Sequence, residues 1–161
     1  MKKIILLIVL VIIIVVGIIL LNKKKKENIK KEPLTIKHLY FYYSNGYSKD
    51  AYTTYRVDYK DDKYIAVIKP YEVPSEEEIT IELDNDTINK LIDVLTKYEV
   101  VSWNKFDKHD KNVLDGDSFT FNLITKEDKE ISARGYMRFP KNYRDVCSEL
   151  EKIFKEIISS K

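Results

Sequence analysis

Between Asp115 and Ile158 the apolar and polar positions alternate first with a period of two and then with a helical period. Phe119, Phe121 and Leu123 interleave with Ser118, Thr120 and Asn122, and Ile131, Ala133, Gly135 and Met137 interleave with Ser132, Arg134, Tyr136 and Arg138. A period of two marks a strand with one face turned inward. Both inward sets carry odd numbers, so antiparallel partners must sum to an even number. Pairing Leu123 with Ile131 and Phe121 with Ala133 meets that condition and leaves an odd-length connection around Lys126-Glu127-Asp128. A slip of one residue would turn one strand's apolar set outward. Phe139-Pro140 ends the second strand, and Asn142 or the Pro140 region starts a helix. Tyr143, Val146, Cys147, Leu150, Ile153, Phe154, Ile157 and Ile158 form its apolar face at i, i+3, i+4, i+7 spacing.

Upstream, residues 34–83 read as strands rich in Tyr, Ile, Val and Thr, punctuated by turn residues. The expected strands are 36–43, 52–59, 64–69 and 78–83. Ser44-Asn45-Gly46 and Asp61-Asp62 turn the chain, and Pro70 and Pro74 bracket a connection. In the second strand Tyr55, Val57 and Tyr59 share a face; in the fourth, Ile79, Ile81 and Leu83 point inward. Asp84-Asn85-Asp86-Thr87 offers N-caps for a helix reaching Tyr98, with Ile88, Leu91, Ile92, Leu95 and Tyr98 as its stripe. Trp103 caps the core, and residues 104–112 (NKFDKHDKN) read as a polar loop. The order of about four strands, helix, two-stranded hairpin and C-terminal helix predicts an α+β domain over residues 34–161. Its sheet is expected to be mostly antiparallel, with the helices packed on one face.

Ahead of this domain, residues 4–21 form an uncharged apolar run of 18 positions. As a helix that is about 27 Å long, enough to cross a hydrocarbon core of about 30 Å. The run is longer than a signal-peptide core and ends in Leu20-Leu21-Asn22-Lys23, with no small-residue cleavage site and no following cysteine for lipid attachment. Residues 1–21 therefore read as an uncleaved transmembrane anchor that partners with lipid through residues 4–21, and residues 22–33 read as a basic linker. Lys23, Lys24, Lys25, Lys26, Lys30 and Lys31 follow the run, against Lys2 and Lys3 before it. By the positive-inside rule alone this keeps the domain in the cytoplasm. A very short basic N-terminus is the shape of a signal anchor, which places the domain outside the cell membrane, and that placement is favoured.

Charge changes the picture once the anchor is set aside. The net +2 becomes −4 from Glu27 onward, with 22 basic against 26 acidic residues, because six basic residues and no acidic one precede it. A clustered basic face is missing, so nucleic acid is not an expected partner. The single cysteine, Cys147, excludes an internal disulfide and a thiolate zinc site.

Asp107, His109, Asp110, Asp115 and Asp117 are the residues a metal would choose, but their spacing departs from a calcium loop, and Lys105, Lys108 and Lys111 oppose a cation. Neither a metal nor a cofactor is expected. His109 with a neighbouring aspartate has the chemistry of a general base, as in a hydrolase. His38 lies in a strand, and Cys147 on an apolar helix face behaves as a small hydrophobe. No nucleophile elbow, phosphate-cradling glycine loop or two-histidine zinc motif is present, so an enzyme is not expected. The outward face Arg134, Tyr136 and Arg138 is the candidate ligand-binding surface, because two arginines beside a tyrosine hold carboxylate or phosphate through charge-assisted hydrogen bonds. Pairing of those arginines with nearby acids is the competing reading. Nine of the twelve tyrosines fall between Tyr40 and Tyr71. They suit strand packing, with an aromatic platform for sugars or a protein partner as the alternative.

Trp103, Val113-Leu114-Asp115-Gly116, the Phe119–Phe121 strand, Gly135-Tyr136 and Phe139-Pro140 together resemble a loose family of uncharacterised small membrane-anchored or lipoprotein-like proteins of AT-rich Gram-positive bacteria. The resemblance spans Trp103 to the C-terminus and implies an exported domain. The chain departs from lipoprotein-like members in lacking a cysteine after the apolar run. The expectation is a membrane-anchored, non-catalytic module that binds a protein or cell-envelope ligand at the outer face of the membrane. A cytoplasm-facing immunity or regulatory protein is the alternative, and a hydrolase using His109 and the neighbouring aspartates is the second.

Overall fold

The computed structural model describes residues 33–44, 53–70 and 78–159, together with the helical residues Val15 and Gly17. The chain divides into two units, Met1–Pro33 and Leu34–Lys161. The proposed anchor and basic linker lie outside the described residues, apart from Val15, Gly17 and Pro33, as do Asn45-Gly46 and Pro74. Among the described residues no helix is long and apolar enough to cross a membrane.

The second unit is an α+β fold in which two helices join a mixed seven-stranded sheet. The strands are β1 (His38–Ser44), β2 (Thr53–Lys60), β3 (Lys63–Pro70), β4 (Ile79–Leu83), β5 (Phe106–His109), β6 (Ser118–Ile124) and β7 (Glu130–Tyr136). Helix α1 (Asn85–Lys97) follows β4, the short 3-10 helix Val100–Trp103 precedes β5, and α2 (Tyr143–Ser159) closes the unit. Spatial order is β4-β3-β2-β1-β6-β7-β5, which puts β1 in the middle. Five of the six pairings are antiparallel, and β5 joins β7 in parallel.

Local chemistry accounts for the turns. Lys60 pairs with Lys63, and the two residues between them, Asp61 and Asp62, have φ of 52° and 60°. A type I′ two-residue hairpin turn needs positive φ at both central positions, and aspartate tolerates it better than most side chains. Between β6 and β7 the loop is Lys126-Glu127-Asp128, with Asp128 at φ 60° and Thr125 N donating to Lys129 O at 3.0 Å. The expected register follows: Leu123 faces Ile131 and Phe121 faces Ala133. Asp84 caps α1, its carboxylate accepting from Thr87 N at 2.7 Å.

One face of the sheet carries the core. Leu39, Phe41, Tyr55, Val57, Ala66, Ile68, Phe119, Phe121, Leu123, Ile131 and Ala133 are buried together with Ile88, Leu91 and Leu95 of α1 and Val146, Leu150, Phe154 and Ile157 of α2. Phe154 stacks on Tyr55 with ring centroids 4.2 Å apart, and Trp103, 1% exposed, lies edge-on to Phe121 at 5.2 Å. Trp103 Nε1 donates to Lys141 O at 3.0 Å, so its one polar atom is satisfied. Burying each such ring is worth about 2–3 kcal/mol. The opposite face presents Tyr40, Tyr42, Arg56, Thr120, Asn122, Ser132 and Arg134 at half-buried or exposed positions.

Four expectations are corrected. Residues 104–112 are not all loop, because Phe106–His109 forms the parallel edge strand β5. Only Phe106 turns toward the core, so a strand of four residues leaves no period to read. Met137 does not continue the inward alternation: β7 stops at Tyr136, and Met137 has φ 52° and is 37% exposed. Its N–H still bonds Asp117 O at 2.8 Å, one more rung in the β6–β7 register, and it is the positive φ at Met137 that turns the chain away from the sheet. Arg138 therefore leaves the strand and shares no pleat with Arg134. Ile158, one residue from the end of α2, is 37% exposed where burial was expected.

Candidate functional site

The parallel pairing of β5 with β7 builds the site, since it sets Asp107 beside Arg134 and His109 beside Tyr136. Asp107, Arg134, His109 and Tyr136 all lie on the sheet face away from the core. Arg134 Nη2 donates to Asp107 Oδ2 at 2.6 Å. That hydrogen bond holds the Asp107 carboxyl below the usual carboxylate range and raises the guanidinium in return. The His109 ring stacks on Tyr136, with centroids 4.7 Å apart and planes 20° from parallel.

Around these pairs runs a shallow depression of about 370 Å³, lined on this face by Asp107, His109, Ser118, Thr120, Arg134 and Tyr136. Its floor reaches Gly135, where a Cβ would stand 2.1 Å from Arg138 O and 2.6 Å from Phe119 Cε1. Only glycine permits so close an approach of the chain after β7. Ser118 Oγ is tied to Ser44 Oγ at 2.7 Å.

The loop from Asp110 to Asp117 frames one end. Tyr136 Oη donates to Leu114 O at 2.6 Å, and Asp110 N donates to Tyr136 O at 3.0 Å. Arg138 Nη2 forms an ion pair with Asp110 Oδ2 at 2.9 Å, and Asn112 N donates to Asp110 Oδ1 at 3.1 Å. The Leu114 side chain is 94% exposed.

Of the three expected binding residues, Arg134 and Tyr136 line the depression and Arg138 does not. Both arginines are paired with acids, Arg134 with Asp107 and Arg138 with Asp110. Asp107 and His109, weighed from sequence only as metal ligands or a base, join the arginine–tyrosine face through a strand that its composition conceals. Among the described residues no group of three or more His, Cys, Asp or Glu side chains is placed to hold a metal ion.

The other titratable candidates lie elsewhere. His38 Nδ1 is 2.6 Å from Asp58 Oδ1, and Asp58 Oδ2 is in an ion pair with Arg56 Nε at 2.9 Å, toward the other end of β1. Cys147 packs beside Tyr143, and burial pushes its thiol up to about 12. Burial likewise raises the Tyr143 phenol. A thiol in that condition is a poor nucleophile at neutral pH.

No model of a known protein family matches the chain, and no curated protein matches it.

Proposed function

We propose that the chain is a membrane-tethered binding module, without a catalytic role, whose working surface is the Arg134–Tyr136 depression at the outer face of a cell membrane. One observation carries this reading. The chain enters the domain at Leu34 and runs straight into β1 at His38, whereas the depression lies beside the far end of that strand, where Tyr42 and Ser44 pair with Thr120 and Ser118. The separation along the strand is roughly 13–20 Å. A tether at one end and a polar recess at the other suit a domain that reaches away from its support. The apolar run over residues 4–21 and the basic residues 22–33 supply the tether in this reading.

The side-chain pairings support binding over catalysis. Asp107 is engaged by Arg134 and Asp110 by Arg138, while His109 stacks on Tyr136. A general base acts on a nucleophile or substrate proton within hydrogen-bond reach; here the carboxylates serve arginines. Because Asp107 already neutralises Arg134, the recess suits a polar ligand that adds hydrogen bonds to a paired arginine, such as an envelope polymer or a protein loop.

Two measurements test the proposal. Protease added to intact cells should remove the domain, and a domain cut only after lysis would place it in the cytoplasm. The full-length chain in detergent should co-sediment with purified cell-wall material or a captured envelope protein in a manner weakened by Arg134→Ala and Tyr136→Ala. Equal retention of the wild type and both variants would remove the depression from the function.

A further inference from the structure

Met137 is one of two methionines in the chain, the other being Met1. It sits where β7 leaves the sheet, at φ 52° and 37% exposed. Its side chain is a bracket for the loop that frames the depression. The Sδ accepts from Asp117 N at 3.2 Å, while Met137 N donates to Asp117 O at 2.8 Å. The same side chain lies flat against Gly116, where a Cβ would fall 2.4 Å from its Cγ and 2.6 Å from its Sδ. Tyr136, its chain neighbour, holds the other side of that loop through Leu114 O at 2.6 Å.

We infer that Met137 is an oxidation site, and that its conversion to the sulfoxide by a peroxide unfastens the Asp110–Asp117 loop from the end of β7. In the reaction one sulfur lone pair attacks a peroxide oxygen, an S–O bond forms and the O–O bond breaks. The sulfur is oxidised by two electrons, and the peroxide is reduced, leaving as water once protonated. The product is a polar, pyramidal group in place of a flexible apolar one. Two features of the bracket make that change disruptive. The side toward Gly116 has no space for an added atom, because the thioether already occupies the position of the missing Cβ. On the Asp117 side, an oxygen on sulfur would stand between Sδ and the amide now 3.2 Å away, forcing the loop outward.

Loss of the bracket frees Leu114 O from its alignment with Tyr136, so the rim of the depression opens. This last consequence rests on the proposed binding role; the oxidation itself does not. Met137 is 37% exposed, which gives a peroxide a route to the side chain, and methionine sulfoxide reductases give the modification a way back.

The test uses the full-length chain in detergent, treated with hydrogen peroxide in the presence of free methionine. Peptide mass spectrometry locates the added oxygen, and amide hydrogen exchange follows residues 111–117. Expected is oxygen on Met137 and an exchange rate across the loop raised at least about twofold, the lower end of what one hydrogen bond is worth. Reductase treatment should reverse the rise, and Met137→Leu, which keeps the apolar bracket and cannot take oxygen, should not respond to peroxide. Three results would overturn the inference: Met137 unoxidised while the free methionine is consumed, Met137 oxidised with loop exchange unchanged, or the leucine variant responding as the wild type does. Ligand retention on cell-wall material, measured separately, reads only the binding consequence.

Discussion

Arg134 and Asp107 stand side by side across the parallel pairing of β7 and β5, with 2.6 Å between guanidinium nitrogen and carboxylate oxygen. Both side chains are largely exposed, so the pair arranges the surface more than it stabilises the fold. Asp107→Ala is expected to leave the thermal midpoint close to wild type while releasing Arg134. Retention on an anionic matrix such as phosphocellulose should then rise with the free guanidinium. An unchanged retention with the midpoint also unchanged would show that the pair does not mask the arginine.

The same pair predicts a pH dependence. The Asp107 carboxyl is held below its ordinary range, so its contribution is present above the unfolded value near 4 and is lost as pH falls through the lowered folded value. Titration followed by carboxylate NMR should place Asp107 among the most acidic aspartates of the domain. Arg134→Gln should return it toward the ordinary range.

Gly135→Ala should destabilise the domain by about 1–3 kcal/mol or more, because the added methyl meets Arg138 O and the Phe119 ring at once. Chemical denaturation measures this directly. A substitution that is neutral would mean the segment after β7 shifts freely, which would also loosen the recess.

Lys105 enters β5 at φ 64°, and its N–H bonds Ser132 O at 2.8 Å. Glycine adopts that conformation without the steric cost a Cβ brings. Lys105→Gly should therefore stabilise by about 0.5–1 kcal/mol, less the backbone entropy glycine adds to the unfolded chain. A fall in the denaturation midpoint would show that the lysine side chain contributes more than its backbone costs.

Cys147 should stay a thiol well into the alkaline range. Its folded value of about 12 lies above the ordinary 9.0, so the stability it contributes is complete below pH 9 and is lost as pH rises from there toward 12. The neighbouring Tyr143 phenol is shifted the same way and adds to the loss at high pH. At pH 8 an aromatic disulfide reagent should label the half-buried Cys147 far more slowly than it labels the unfolded chain.

The residues that made the fold readable are those whose burial follows one period. Phe119, Phe121, Leu123, Ile131 and Ala133 alternate without exception, and parity together with a short connection sets their register. Val146, Leu150, Phe154 and Ile157 do the same at helical spacing. The site was less legible because it depends on β5, where a single apolar residue, Phe106, carries no period and the partner strand lies 27 positions away in a parallel pairing. Arg134 and Tyr136 could be placed on one face from alternation. That Asp107 and His109 face them could not, since parallel edge partners are chosen by tertiary packing. Met137 shows the converse: alternation continues through it in sequence, but a left-handed backbone at φ 52° turns it out of the sheet.

The position of β1 has a mechanical consequence. This strand is the first reached by the incoming chain and is bonded on both edges, to β2 and to β6, along its length. A force applied along β1 from its Leu34 end and resisted at β7 runs parallel to the strands. It loads the β1–β6 ladder in shear, so its hydrogen bonds share the force and must fail together instead of peeling one after another. Such a sheet resists extension far better along β1 than across it.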